Sequence, residues 1–182
     1  MRRRMAGPAR APLNGAMNAL RTLSLLAATV TMGLMAGLFA AFAYSVMPGL
    51  SRADDRTLVV AMQRINESIL NGWFFVCFFG ALLLTAVAAG LHLGAGWRGA
   101  LPWIVAALVL YLVVLVVTMA ANVPLNDALA RAGDPDRLTE IAAVRDRFAP
   151  AWIRWNLLRA AASTAGFGLL TWALVLHGRV SG

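Results

Sequence analysis

The chain has 182 residues, of which 60% are hydrophobic and only 13% are charged. A soluble domain averages about 45–50% apolar and about 25% charged residues, so this composition excludes an ordinary soluble globule. The net charge of +8 could suit nucleic acid, but the arginines flank apolar segments and form no basic motif interleaved with exposed aromatic residues. We therefore expect membrane lipid as the partner, and no nucleic acid.

Four long apolar stretches contain almost no charge, and nearly all ionisable residues fall between them. Each stretch reaches the roughly 20 residues that a helix needs to cross about 30 Å of hydrocarbon. We predict an all-α membrane protein, a four-transmembrane-helix bundle with spans at residues 20–47, 70–93, 101–122 and 154–177. The bundle occupies residues 20–178, between a basic, disordered N-terminal tail (1–19) and a short C-terminal tail (179–182).

The N-terminal segment resembles a signal peptide, with a run of arginines before an apolar stretch and a small-residue site at residues 41–43. A signal peptide has an apolar region of only about 7–15 residues, and this one is longer, so we interpret it as a retained first span. Arginines are equally numerous beside the spans on the two sides. The N-terminal arginine cluster contains no acidic residue, which predicts cytoplasmic N- and C-termini in the cell membrane.

With four spans, the chain segments fall at two ends of the bundle. The loop end receives residues 48–69 and 123–153, and the turn end receives the tight turn at residues 94–99. Short amphipathic helices are predicted in both loops, one after Asp54 and one after the Asp134-Pro135 pair. Their apolar residues follow helical spacing, with Leu58, Met62, Ile65 and Ile69 in the first and Leu138, Ile141 and Phe148 in the second. His92 and His177 share the turn end and are expected to be interfacial.

The polar residues of unusual type within the spans gather near the loop end. Span one carries a small-residue stripe that ends at Tyr44, and a stripe of this kind allows close helix approach. Span two is expected to align Glu67 and Asn71 with an aromatic wall formed by Phe74 and Phe78. Span three aligns Tyr111, Thr118 and Asn122, after which Pro124 is expected to break the helix near Asn126.

Span four has the strongest pattern. One helix face carries four residues at helical spacing, because Trp155, Asn156 and Arg159 follow Trp152 by 3, 4 and 7 residues. Arg159 lies nearly two turns inside the membrane, where an arginine costs at least a few kcal/mol and usually marks a functional site. Arg154 points away from this face and is expected to reach the headgroups. The stripe also fits an interfacial aromatic belt with a helix-end arginine, so the spacing alone leaves a site and a belt open.

These motifs resemble the anthrone oxygenase-like family, DUF1772, over roughly residues 20–176. The resemblance is carried by four segments, namely Gly33–Gly37, Ser45–Leu50, Asn122–Asn126 (NVPLN) and Trp152–Arg159 (WIRWNLLR). Members of this family share the four-span layout, and fungal members are implicated in oxidising polyketide anthrones to anthraquinones with molecular oxygen. The resemblance implies a membrane-embedded oxidoreductase for a hydrophobic aromatic compound, anthrone or quinol-like.

The residues themselves constrain the chemistry of such an enzyme. The sequence has no HExxH, no CxxC and no pair of carboxylates within a span, so we expect no metal and no cofactor. A cofactor-independent monooxygenase would bind an electron-rich aromatic compound, deprotonate it, and let the anion react with oxygen. Candidate catalytic residues are Arg159, Asn122 and Glu67, the last as base. Candidate substrate-binding residues are Trp152, Trp155, Asn156, Asn126, Asn71 and Tyr44.

One alternative of a different class stays open. The polar cluster could hold helices together in a non-catalytic membrane scaffold or accessory subunit, without binding any small molecule. Either function is compatible with a homo-oligomer. An enclosed space between Trp155, Arg159 and Asn122 would favour the enzyme, and a tightly filled cluster would favour the scaffold.

Overall fold

A computed structural model of the chain describes the backbone of residues 10–181 and the side chains of residues 15–180. Four helical stretches in this range are long and apolar enough to cross a membrane, namely Gly15–Ser51, Gly72–Leu91, Leu101–Arg131 and Ile141–Val180. The described residues contain no strand. The predicted all-α bundle with four spans is therefore confirmed.

The first span consists of helix α1 (Arg10–Ala41), a π-helical turn (Phe42–Val46) and the short helix α2 (Met47–Ser51). Pro48 explains the π turn, because proline lacks an N–H and its ring clashes with the carbonyl four residues earlier. The backbone N–H of Met47 donates instead to the carbonyl of Phe42, five residues back. Because α1 begins at Arg10, residues 10–19 are helical rather than disordered as predicted; residues 1–9 lie outside the described part of the chain.

The third span repeats this arrangement. Helix α5 (Leu101–Val117) passes through a π turn (Thr118–Asn122) into helix α6 (Val123–Arg131), and the N–H of Val123 donates to the carbonyl of Thr118. The sequence had suggested that Pro124 breaks the helix, and this prediction is wrong. The backbone accommodates the proline by a π turn and continues to Arg131, about two turns past the predicted end at residue 122.

Helix α3 (Asp55–Ser68) is the amphipathic helix predicted for the first loop. Asp54 caps it by accepting hydrogen bonds from the Thr57 backbone N–H at 2.9 Å and the Thr57 hydroxyl at 2.6 Å. These bonds hold the pKa of Asp54 below its usual range. Leu58 and Met62 are buried against the loop end of the bundle, so α3 covers part of its mouth.

The second loop is organised differently from the prediction. Asp134 caps only a 3₁₀ turn (Pro135–Arg137), by accepting a hydrogen bond from the N–H of Asp136. Ile141 and Phe148 belong to α7 (Ile141–Ser181), which continues through Pro150 into span four. Its 41 residues correspond to roughly 60 Å, about twice the hydrocarbon thickness, so its first turns extend beyond the membrane core.

The four long helices pack as a ring in which α1 contacts α4 (Gly72–Leu91) and α7, while α5 contacts the same two. Helices α1 and α7 lie close together at Gly33, where an added Cβ would lie 2.9 Å from Cε2 of Phe167. Gly37, the second glycine of the GxxxG motif, has open space beside it. Only half of the predicted small-residue motif therefore serves helix packing.

Candidate functional site

An open cavity of about 590 Å³ lies at the loop end, between α1, α3, the α5–α6 unit and α7. Its inner wall combines aromatic and polar side chains, and its mouth carries charged side chains. The inner residues include Phe39, Phe42, Phe74, Thr118, Asn122, Asn126, Trp152, Asn156 and Arg159. The charged residues of the lining include Arg64, Glu67, Asp127 and Asp134.

Arg159 is the principal charge of the inner cavity. Its side chain is only 6% exposed because α7 directs it between α1 and the third span. One terminal nitrogen donates to the Asn156 Oδ1 at 3.0 Å and the other approaches the Thr118 hydroxyl at 3.5 Å. The Nε–H has no hydrogen-bond partner in the described protein, and the ion pairs of the described residues do not include Arg159. A buried cation thus faces the cavity without a carboxylate.

Aromatic rings hold the guanidinium in place. Its Cζ lies 4.4 Å from the ring centroid of Phe39 and 5.5 Å from that of Trp152. Cation–π contacts of this kind contribute about 0.5–2 kcal/mol, more when they are desolvated. They fix the position of Arg159 but cannot neutralise its charge, which stays available to an anionic ligand.

Asn156 links two helices within the site. Its Nδ2 donates to the carbonyl oxygen of Phe39 on α1 at 3.0 Å, while its Oδ1 accepts from Arg159. Both ends of the amide are therefore used within the protein. Asn156 is a positioning residue for Arg159, and it lies one turn before Arg159 on the same face of α7.

Asn122 has the opposite character. It is 1% exposed and lines the cavity, yet neither its Oδ1 nor its Nδ2 has a hydrogen-bond partner in the described protein. A buried polar group left unpaired costs about 1–3 kcal/mol. Such a cost is rare in a native core and is understandable where a ligand supplies the partner. The guanidinium of Arg159 reaches the hydroxyl of Thr118 and makes no direct hydrogen bond to Asn122.

The remaining wall is aromatic. Trp152 donates from Nε1 to the Oδ1 of Asn126 at 2.9 Å, and its ring lies 5.5 Å from that of Phe42. On α4, Phe74 stacks on Phe78 with centroids 5.3 Å apart. A flat, apolar ligand would meet rings on several sides of the cavity.

Three predicted binding residues lie away from the cavity. Tyr44 is 75% exposed and Trp155 is 42% exposed, so both side chains face outward from the bundle. Asn71 caps α4 by accepting from the N–H of Phe74 at 3.1 Å. The expected stripe from Glu67 to Asn71 does not form, because α3 ends at Ser68 and a new helix begins at Gly72. None of these three residues is part of the cavity lining.

Glu67 does line the cavity, at its charged mouth. It forms an ion pair with Arg64 at 3.3 Å, and both side chains are exposed to solvent. Glu67 therefore does not pair with Arg159. Phe39 and Thr118 contact Arg159 but were not predicted as site residues. Thr118 could have been found from the sequence, because it precedes Asn122 by one turn and has the same helix face.

The described part of the chain contains no cluster of metal-binding side chains. There, no group of three or more histidine, cysteine, aspartate or glutamate side chains could hold a metal ion. Cys77 is free and half-buried.

The fold and the cavity define a class, that of a multi-pass membrane protein with a polar cavity inside a four-helix bundle. The family model described as anthrone oxygenase matches residues 73–169, more than half of the chain. The protein therefore belongs to the anthrone oxygenase-like family, DUF1772. The match includes Asn122, Trp152 and Arg159 but begins after Glu67. No curated protein and no solved structure matches the chain significantly.

Proposed function

We propose that the protein is a membrane-embedded oxygenase that oxidises a hydrophobic aromatic compound, anthrone or quinol-like, without a cofactor. The observation that carries the proposal is Arg159, a buried cation without a carboxylate partner that faces an open aromatic cavity. A folded protein gains nothing in stability from such an uncompensated charge, whereas a catalyst needs one wherever negative charge develops.

The size and chemistry of the cavity fit this class of substrate. Ligand pockets for drug-sized molecules have volumes of about 300–1,000 Å³ and are mostly apolar with a few oriented polar groups. The cavity here has about 590 Å³, enough for a compound of three fused rings. Phe74 and Trp152 supply flat apolar surfaces, while Asn122 offers one unpaired donor and one unpaired acceptor.

The reaction needs a base, an anion-stabilising cation and molecular oxygen. A base removes a proton from the CH₂ group between two aromatic rings, and the negative charge spreads to the carbonyl oxygen opposite. The carbanion carbon then bonds to oxygen to give a hydroperoxide, which loses water to leave a new carbonyl group. Overall one CH₂ group and one O₂ become one C=O group and one water. Arg159 would stabilise the oxyanion, with Asn122 orienting it.

Glu67 is the proposed base, because it is the carboxylate that we singled out in the sequence and it lines the cavity. Its place at the mouth allows the abstracted proton to pass to solvent.

The scaffold remains a competing proposal with an observation of its own. Asn156 ties α7 to α1, and Arg159 reaches Thr118 on the third span. These contacts join three helices and would stabilise the bundle without any ligand. The two proposals differ in what Arg159 contributes, namely chemistry in the first and packing in the second.

The test is Arg159→Gln, with Arg154→Gln as a matched control on an exposed arginine of the same helix. Oxygen consumption with a hydroxylated anthrone reports the chemistry, and thermal unfolding in mild detergent reports packing. The enzyme proposal expects Arg159→Gln to lose at least 100-fold in activity, with a small change in Tm and a fully active control. A loss of about 3–5 kcal/mol in stability, or a wild-type protein inert towards every anthrone offered, would favour the scaffold.

We further propose that the termini face the cytoplasm of the cell membrane, which places the cavity mouth on the outer side. The arginine-rich N-terminal segment supports this orientation. Reporter fusions after Gly96 and Gly182 should then report the cytoplasm, and fusions near Asp54 and Asp134 the outside. A cytoplasmic signal from the Asp134 fusion would reverse the orientation and leave the four spans intact.

A further inference from the structure

The two histidines of the chain lie side by side at the turn end, far along the helices from the cavity. His92 follows the last residue of α4, and His177 lies near the end of α7. Both side chains are buried, and the Nε2 of His92 lies 3.0 Å from the Nδ1 of His177. Although the sequence predicted interfacial histidines, the structure buries them against each other.

Their hydrogen-bond partners determine which nitrogens carry protons. The Nδ1 of His92 lies 2.7 Å from the carbonyl oxygen of Ala88, which can only accept, so this Nδ1 carries hydrogen. In a neutral ring the Nε2 of His92 is then an acceptor, and the Nδ1 of His177 must donate to it. The Nε2 of His177 accepts in turn from the hydroxyl of Thr22 on α1, at 2.9 Å. The neutral pair thus forms a directional chain from Thr22 to Ala88.

A first added proton fits this chain without breaking it. Placed on the Nε2 of His177, it is donated to the Oγ1 of Thr22. The Thr22 hydrogen then turns to the carbonyl oxygen of Asn18, 3.0 Å away. The bond between the two rings and the bond to Ala88 stay as they were.

A second proton does not fit. It would have to bind the Nε2 of His92 and would face the N–H on the Nδ1 of His177, across the same 3.0 Å. Two donors and two positive charges would then meet in a buried place, and like charges at this distance strongly disfavour double ionisation.

Among the residues that the structure describes, the charged side chains nearest the pair are cations. Arg21 on α1 lies 5.1 Å from the ring of Trp97, which stacks on His177 with centroids 4.7 Å apart. Arg98 in the turn and Arg179 on α7 are further cations at this end, and α5 has no charged residue. The eight acidic residues of the sequence all lie between residues 54 and 146, in the segments of the loop end.

We infer that His92 and His177 form a proton-binding dyad that accepts one proton and rejects a second, and that this limit makes the turn end a pH-sensitive clip between α1, α4 and α7. Those three helices also carry Phe39, Phe74 and Arg159 of the cavity. Opening the clip would therefore loosen the helices that form the cavity wall.

The sign of the pH effect follows from proton counts. In the unfolded chain both histidines titrate near their ordinary pKa of about 6.5 and bind two protons at acidic pH, whereas the folded dyad binds at most one. The unfolded state thus gains the additional proton, so stability is complete above pH 6.5 and decreases below it. The unfolding equilibrium constant should rise about tenfold per pH unit once the second proton binds only to the unfolded chain.

The direct test is nuclear magnetic resonance of the full chain in detergent, labelled with ¹⁵N only at histidine and carrying a tag without histidine. Every ring signal then comes from the dyad. At pH 7.5 both rings are expected as Nδ1–H tautomers, and between pH 7.5 and 5.5 the folded protein should take up no more than one proton. An Nε2–H tautomer on either ring, or two independent titrations near pH 6.5, would overturn the proposal.

The second test is the pH dependence of Tm over the same range. Wild-type Tm should fall as the pH decreases from 7.5 to 5.5, and the double variant His92→Gln/His177→Gln should lose this dependence. Glu140→Gln, which removes an exposed carboxylate at the loop end, is the control and should retain it. An equal slope in wild type and double variant would defeat the proposal. If the double variant does not fold, the tautomers of the wild-type rings still decide the question.

Discussion

The two ends of the bundle bury polar side chains under opposite conditions. At the loop end, Arg159 lacks a carboxylate, Asn122 lacks any partner in the described protein, and both face an open cavity. At the turn end, His92 bonds both Ala88 and His177, and neither histidine lines the loop-end cavity. The loop end therefore contains buried polar atoms without hydrogen-bond partners, whereas the ring nitrogens of His92 at the turn end both have partners within the protein.

This difference separates binding from structure within one fold. A buried polar group with all its bonds made contributes to stability and specifies packing. A buried polar group without a hydrogen-bond partner lowers stability, and it is retained where a ligand supplies that partner. The same kind of residue can thus have either role, and the hydrogen-bond partners decide which. Removing a buried polar group should accordingly raise stability where its bonds are unmade and lower it where they are made.

The largest expected effect concerns the base. Glu67→Gln should reduce the rate of anthrone oxidation by about 10²–10⁴-fold, the usual contribution of general base catalysis. Tm should stay near that of wild type, because Glu67 is exposed and its ion pair with Arg64 is a surface contact. Asp127→Asn, at another carboxylate of the cavity lining, is the control and should keep its activity. Full activity of Glu67→Gln would show that the base lies elsewhere.

The next prediction compares one substitution at two asparagines of the cavity. Asn122→Leu removes an amide with no partner, so the free energy of unfolding should rise by up to about 1–3 kcal/mol while activity is lost. Asn156→Leu removes an amide that bonds Phe39 and Arg159. The same change there should lower the free energy of unfolding by about 1–3 kcal/mol, because two partners lose their bonds.

Thermal unfolding of both variants in one detergent checks the comparison. The expected result is a difference in sign, with Asn122→Leu at or above wild type and Asn156→Leu below it. Equal destabilisation would mean that Asn122 has partners in the free protein. That outcome would also weaken the assignment of Asn122 to ligand binding.

The sequence predicted the fold well because the membrane simplifies the problem. Each span has to be about 20 apolar residues long, and hydropathy alone locates such stretches. Boundaries were less predictable, since helices continue beyond the hydrocarbon, as α7 does from Ile141. The π turns before Pro48 and Pro124 were also missed, because proline indicates a disturbed helix without showing whether the helix breaks or adapts.

The candidate site was predictable only in part. Helical spacing placed Trp152, Asn156 and Arg159 together, because they lie on one rigid helix. Spacing could not separate Trp155 from them. A step of three residues along a helix leaves the side chain of Trp155 only about 60° from the direction of Trp152, which is close enough to be assigned to the same face. Asn71 lies outside the cavity lining for a different reason, because the helix is interrupted between α3 and α4 and helical spacing does not extend across the interruption. Contacts between helices, such as Phe39 with Arg159, are not encoded in spacing at all.

The smallest expected effect tests the turn end. Thr22→Val keeps the shape of the side chain but removes the hydroxyl that donates to the Nε2 of His177. A single hydrogen bond of this kind contributes about 0.5–1.5 kcal/mol, so the free energy of unfolding should fall by about 1 kcal/mol. Activity should be unchanged, because Thr22 does not line the cavity. Thr171→Val is the matched control, since that hydroxyl is exposed and bonds only a carbonyl of its own helix, on Phe167. The control should stay within a few tenths of a kcal/mol of wild type, and a Thr22→Val variant equally close to wild type would mean that the clip does not depend on its link to α1.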